Sequence, residues 1–155
     1  MRAPVRALFA DAAAANAAAV EMRMSLYERH NEALFVREEL LSAREDGGGG
    51  EKVPRTAVVA RGEIGHAHGD LSVHVYVAPA DARVLIEKGW AERHRLAVPR
   101  GAWWGAERYR VGDTFLIVYG PRDEGELEVL RTILVNAMRF MTGREDVRVP
   151  EWRGG

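Results

Sequence analysis

The sequence predicts an α+β fold: a small, mainly antiparallel sheet covered by helices, with a long Ala-rich helical segment at the N-terminus. Three observations carry this. Residues Leu71–Ala78 alternate apolar and polar, the period-2 pattern of a half-buried strand. Asp123–Thr142 places Leu127, Leu130, Ile133, Leu134, Ala137, Met138 and Met141 on one helical stripe. The segments follow in the order α-β-β-α-β-α, which suits helices packed on one face of an antiparallel sheet.

The elements are justified in turn. Val5–Glu45 reads as helix: Ala12–Ala19 has the highest intrinsic propensity, and Met24, Leu26, Tyr27, Leu34, Phe35, Leu40 and Leu41 mark a loosely helical apolar face. One helix of that length would extend roughly 60 Å, so a break is expected near His30-Asn31, or else a projecting helix that could meet a partner or a second copy. Gly47–Gly50 forms a connector. It is not a phosphate loop, because no Lys-Ser/Thr follows it and no strand leads into it. Thr56–Ile64 is expected to be a strand, as is Leu71–Ala78. Pro79–Lys88 is a short helix opened by proline and stopped by Gly89. Trp90–Val98 is extended or irregular, and Pro99–Val111 is a loop. Thr114–Tyr119, apolar on both faces, is a central strand. Asp123 with Glu126 resembles a capping box at the start of the last helix, and Gly143 ends it. The expected organisation is therefore an N-terminal helical segment (1–46), a Gly-rich connector (47–55) and an α+β domain (56–155).

Composition narrows the function classes. The chain has 155 residues, 47% of them hydrophobic and 29% charged, which is enough to build one core without staples. A net charge of −1 lacks the basic excess of a nucleic-acid binder, so no nucleic-acid partner is expected. The absence of cysteine removes disulfides, thiolate zinc sites and cysteine nucleophiles. No apolar run approaches a membrane span, so no transmembrane anchor is expected and the chain reads as soluble and cytoplasmic. Arg2 and Arg6 ahead of the alanines keep an organelle presequence as an alternative.

Four of the five histidines fall in Glu63–His94. His66 and His68, two residues apart in extended chain, share a face, and His74 occupies the polar face of the next strand. His94 follows Arg93 after the turn at Gly89-Trp90. If the strands pair, three or four imidazoles converge. Imidazole serves either as a general base near neutral pH or as a metal ligand. The metal alternative uses His66, His68 and His74 with a carboxylate such as Glu63, Asp70 or Glu92. The remaining alternative is hydrogen-bonded or exposed strand histidines without a site. Trp90, Trp103, Trp104 and Tyr119 could wall a pocket for a planar ligand, or pack as core. Arg122 stands after Tyr119-Gly120-Pro121 at a strand end, facing either a substrate or its acidic neighbours.

These residues resemble the fungal luciferase family and its bacterial and fungal homologues. The resemblance lies in Glu63-Ile64-Gly65-His66-Ala67-His68, in Ser72-Val73-His74-Val75, in Gly89-Trp90-Ala91-Glu92-Arg93-His94-Arg95-Leu96-Ala97, and in Tyr119-Gly120-Pro121-Arg122. It runs from Arg61 to Gly143, about half the chain. It implies a cofactor-independent oxygenase that oxidises a hydroxypyrone of the 3-hydroxyhispidin type. Molecular oxygen is the co-substrate, carbon dioxide is released, and light can be emitted. On that reading His66, His68, His74, His94, Arg93 and Arg122 are catalytic, with a histidine as base and an arginine holding the oxyanion. Trp90, Glu92, Tyr119 and Trp104 then bind the aromatic substrate. A small-aromatic binding domain without turnover and a His-ligated metal-dependent oxygenase are the alternatives.

Overall fold

The computed structural model describes residues 2–42, 53–97 and 111–152. Its centre is a six-stranded antiparallel sheet of β1 (Val20–Met24), β2 (Glu32–Val36), β3 (Glu63–Ala67), β4 (Val73–Tyr76), β5 (Ala91–Arg93) and β6 (Phe115–Val118). The spatial order is β1-β2-β3-β4-β6-β5. The helices are α1 (Arg2–Ala15), α2 (Glu38–Ser42), α3 (Arg55–Val59), α4 (Pro79–Glu87) and α5 (Glu124–Thr142). The α+β class, the covering helices and the Ala-rich N-terminal helix are as the sequence predicts.

The N-terminal helix is shorter than expected. It stops at Ala15, where Asn16 turns the chain, and the residues expected to continue it form the β1–β2 hairpin and short α2 instead. Val20, Met22 and Met24 pair with Val36, Leu34 and Glu32, and β2 in turn pairs with β3. A buried place in the sheet for Leu34, Phe35 and Val36 overrides a loose helical spacing. The expected strand Thr56–Ile64 is also corrected: Arg55–Val59 is helical, and the strand begins only at Glu63. Between them Arg61 and Gly62 adopt left-handed φ values of 52° and 85°. A Cβ at Gly62 would lie 2.9 Å from Leu41 Cδ1, so glycine is required there on two counts.

Strand β6 is buried at Phe115, Leu116 and Val118, but it sits one strand in from the edge, with β5 outside it. The final helix matches expectation closely. Asp123 Oδ1 accepts the Glu126 N–H at 2.9 Å, and Gly143 closes the helix at φ 68°. The Glu126 carboxylate turns to the Arg122 N–H at 2.8 Å, so the reciprocal half of a capping box is displaced by one residue. The expected Gly-rich connector and the loop carrying Trp103 and Trp104 lie essentially outside the described residues.

Side chains from α1 and α5 (Leu8, Phe9, Leu130, Ile133, Leu134) meet Val73 and Val75 on one face of the sheet. Asn16 ties the chain's far end to this layer: its amide donates to the Ala12 and Arg148 carbonyls at 3.1 and 3.0 Å and accepts the Arg148 N–H at 2.8 Å. Because side chains alternate along a strand, this layer leaves His74 and Tyr76 on the opposite face.

Candidate functional site

The site lies on that opposite face. Register sets its rows: Ala33 pairs with His66, His66 with His74, His74 with Ile117, and Ile117 with Glu92. Directly paired residues share a face, and so do residues two apart. His68, Phe115 and His94 therefore join the row. The rings confirm the convergence: His68 and His74 centroids are 4.0 Å apart, His66 and His68 5.0 Å, and His74 and His94 4.7 Å. Beneath them Phe115 stacks on Tyr76 at 4.4 Å and touches His74 and His94.

A β-bulge adds a carboxylate. Leu34 pairs with Gly65 but Phe35 pairs with Glu63, so β3 carries one extra residue at this point. The bulge brings Glu63 onto the face of His66 although the two are three residues apart. Glu63 is fully buried, and its Oε1 lies 2.9 Å from His66 Nδ1. Its other bonds run to the β1–β2 turn: Oε1 accepts the Ser25 hydroxyl at 2.7 Å and Oε2 accepts the Leu26 N–H at 2.7 Å. Ser25 Oγ in turn accepts the N–H groups of Tyr27 and Glu28 at 3.1 and 3.0 Å. One buried carboxylate thus fixes both an imidazole and the turn that crosses over it.

That turn carries Glu28. Its Oε2 is held by the Asn31 side-chain amide at 2.8 Å. Its Oε1 lies 3.7 Å from His66 Nε2, 3.5 Å from His68 Nε2 and 3.7 Å from His74 Nδ1. The four ligand atoms all lie within 4.8 Å of one another. His66 Nε2 and His68 Nε2 are buried without a hydrogen-bond partner. Tyr27 beside Glu28 bonds hydroxyl to hydroxyl with Tyr76 at 3.0 Å, and Tyr76 also accepts the Gly112 N–H. Burial pushes Tyr27 up to about 12, and it raises Tyr76 as well. Both stay neutral.

Three of the imidazoles, His68, His74 and His94, are pushed toward the neutral form, chiefly by burial. His74 is lowered to about 3, first by burial and then by His68, His66 and His94. His68 and His94 are lowered by burial, with Glu28 acting against it. A neutral imidazole is the metal-binding form, and one depressed this far is a weak proton acceptor.

The other expected residues are more scattered. Glu92 and the exposed Tyr119 belong to the histidine face at its β5–β6 edge, their side chains 3.5 Å apart. Arg93 pairs with Leu116, which parity assigns to the helix-covered face, and its guanidinium donates to the Asp113 carbonyl. Trp90 lines a groove of about 240 Å³ between α4 and α5 with Val77, Leu85 and Ile133, on the helix-covered side. Arg122 is exposed at the start of α5, where its guanidinium is bound by Glu126. Asp70 is an exposed turn residue holding Ser72, and Trp104 lies outside the described residues. Glu63 bonds His66 alone, through its Nδ1, while the carboxylate that faces three of the imidazoles together is Glu28. The sequence reading missed it because the turn was read as helix. The expected break at His30-Asn31 was the available signal.

The luciferase domain family model matches residues 61–137, the segment that contributes β3 to β6 and most of α5. The chain is a member of the luciferase-domain family. Curated luciferases of Armillaria gallica and Armillaria mellea are each 34% identical to it over 125 residues, 78% of this chain. The luciferase of Neonothopanus nambi is 35% identical over 82 residues. The chain covers 42% of the length of the Armillaria proteins and 28% of the other, so it spans less than half of these relatives. No solved structure matches it. Among the described residues no helix is long and apolar enough to cross a membrane.

Proposed function

We propose that the chain is an oxygenase of the luciferase type, acting on an enolisable hydroxypyrone with molecular oxygen and releasing carbon dioxide. The observation that carries this reading is the histidine face, four imidazoles and a carboxylate over an aromatic floor, in a family whose curated relatives are named luciferases. A flat conjugated substrate suits the aromatic surroundings. An enol of this class reacts with oxygen once its proton is removed and the enolate charge is held. Polar groups fixed in a partly water-excluded site can do both. His94 has its own part: its Nδ1 accepts the Leu96 N–H at 3.1 Å, so in the neutral ring Nε2 carries the proton and can donate to an oxyanion.

The test is oxygen consumption and carbon dioxide release by the purified chain with 3-hydroxyhispidin, followed together with light emission. Stoichiometric uptake and release, lost in His68→Gln, is the expected result. Tight binding of the pyrone with no oxygen uptake would instead make the chain a binding domain for small aromatic molecules.

A further inference from the structure

We propose that Glu28, His66, His68 and His74 form a binding site for one first-row divalent transition-metal ion. The ligand distances come first. Four ligands bound at about 2.1 Å around a tetrahedral ion lie about 3.4 Å apart. Glu28 Oε1 stands 3.5 to 3.7 Å from the three imidazole nitrogens, close to that edge and too far for good hydrogen bonds. The second argument is proton placement on His66. Its Nδ1 faces the Glu63 carboxylate at 2.9 Å and must donate, so in the neutral ring the Nε2 lone pair points at the carboxylate of Glu28. Two electron-rich atoms face each other in a site where His66 is fully buried and its Nε2 has no partner. A cation between them resolves the opposition. The third argument is support. A carboxylate behind a ligating imidazole is the usual outer partner of a metal-bound histidine, and Glu63 also pins the turn that presents Glu28.

Three imidazoles with one carboxylate select an ion such as Fe²⁺, Zn²⁺ or Co²⁺ over Mg²⁺ or Ca²⁺, which prefer oxygen ligands. Metal binding itself does not depend on the oxygenase reading. If that reading holds, the ion would act as a Lewis acid on the enolate oxygen, and His66, His68 and His74 would be ligands rather than bases. His94, outside the ligand set, would remain available to the substrate.

The experiment uses tag-free, full-length protein stripped with chelator and titrated separately with Zn²⁺, Co²⁺ and, under anaerobic conditions, Fe²⁺. Stoichiometry is read by elemental analysis, affinity by calorimetry and ligand field by the visible spectrum of the Co²⁺ form. One ion per chain is expected, with a rise in melting temperature. Glu28→Gln and His68→Gln should each weaken binding by more than about tenfold, and Glu63→Gln by about 10–100-fold. His30→Ala, which removes an exposed histidine beside Glu28 Oε2, should leave affinity unchanged. Substoichiometric binding of all three ions with no thermal shift would overturn the proposal. So would a Glu28→Gln protein that binds as tightly as the parent. Oxygen uptake measured in parallel separates the two claims: turnover by fully chelated protein would sink the metal's role while keeping the oxygenase. Stoichiometric metal without turnover would do the reverse.

Discussion

The two faces of the sheet are built from the same strands and have opposite characters. From β4, Val73 and Val75 go to the face closed by α1 and α5, while His74 and Tyr76 go to the other. The closed face is apolar and owes its stability to removal from water. The histidine face buries polar groups that gain little from burial and depend on Glu63, Ser25 and the β1–β2 turn for partners. Alternation along a four-residue strand is enough to separate what holds the molecule together from what it can do. Substitutions on the two faces should accordingly move different observables.

The largest effects test that separation directly. Leu134→Ala, on the closed face, should cost about 2–5 kcal/mol of unfolding free energy in urea, with activity per folded molecule and metal stoichiometry unchanged. His68→Gln, on the other face, should lower turnover by roughly 10²–10⁴-fold, with little change in the urea midpoint when both proteins are compared free of metal. If the leucine variant lost activity per folded molecule, or the histidine variant simply unfolded, the two faces would not be separable.

Gly65 is the position where they touch. A Cβ there would sit 2.3 Å from the His74 carbonyl oxygen and 3.0 Å from Val75 Cα. Gly65→Ala must push β3 from β4, and overpacking of this kind costs about 1–3 kcal/mol. Unlike the previous pair it should disturb both observables, weakening Co²⁺ binding and lowering the melting temperature together. A loss of stability with an unaltered Co²⁺ spectrum would show that the histidine row survives strand displacement.

Much of this arrangement was legible in the sequence, for identifiable reasons. Strand parity in His66-Ala67-His68 and the alternation around His74 depend only on local geometry, so the convergence of those three imidazoles could be anticipated. The stripe and caps of α5 are local too. Glu28 could not be placed, because its position comes from long-range pairing of β1 with β2 and β2 with β3. The bulge that puts Glu63 beside His66 has no local signal either, since one extra residue in β3 is defined only against its partner strand. For Trp90 the sequence leaves core packing and a pocket wall both open, and only the placement of α4 and α5 puts it against the core in a groove on the helix-covered side.

The closed face also has a fastening at its rim, with a smaller expected effect. The Asn16 side chain makes three hydrogen bonds, two of them to Arg148. Asn16→Ala leaves the Arg148 N–H without its side-chain partner and should cost about 1–3 kcal/mol. Hydrogen exchange should show opening confined to the C-terminal segment, with protection of β3 and β4 retained. Exchange that rises equally across the sheet would mean that Asn16 supports the whole fold and not its edge.

The smallest expected effect belongs to Arg122, and it bears on how far the histidine face extends. The family-like Tyr119-Gly120-Pro121-Arg122 segment suggested an oxyanion-holding guanidinium. In the fold, Arg122 is 85% exposed, with its Nε donating to Glu126 Oε1 at 2.8 Å and its backbone N–H to Glu126 Oε2. The fork that would grip a substrate oxygen is thus engaged at the start of α5. Lysine keeps the charge and loses the planar pair of donors, so Arg122→Lys separates the two roles. A helix-end clamp on the surface contributes little, and the variant should then keep oxygen uptake within about twofold of the parent at every substrate concentration. An oxyanion donor behaves differently, because hydrogen bonds aimed at developing charge act on kcat and not on KM alone. A fall in kcat of tenfold or more at unchanged melting temperature would therefore return Arg122 to the site. It would also require Glu126 to release the guanidinium when substrate binds, which a Glu126→Gln variant should make easier and so partly reproduce as a gain in rate.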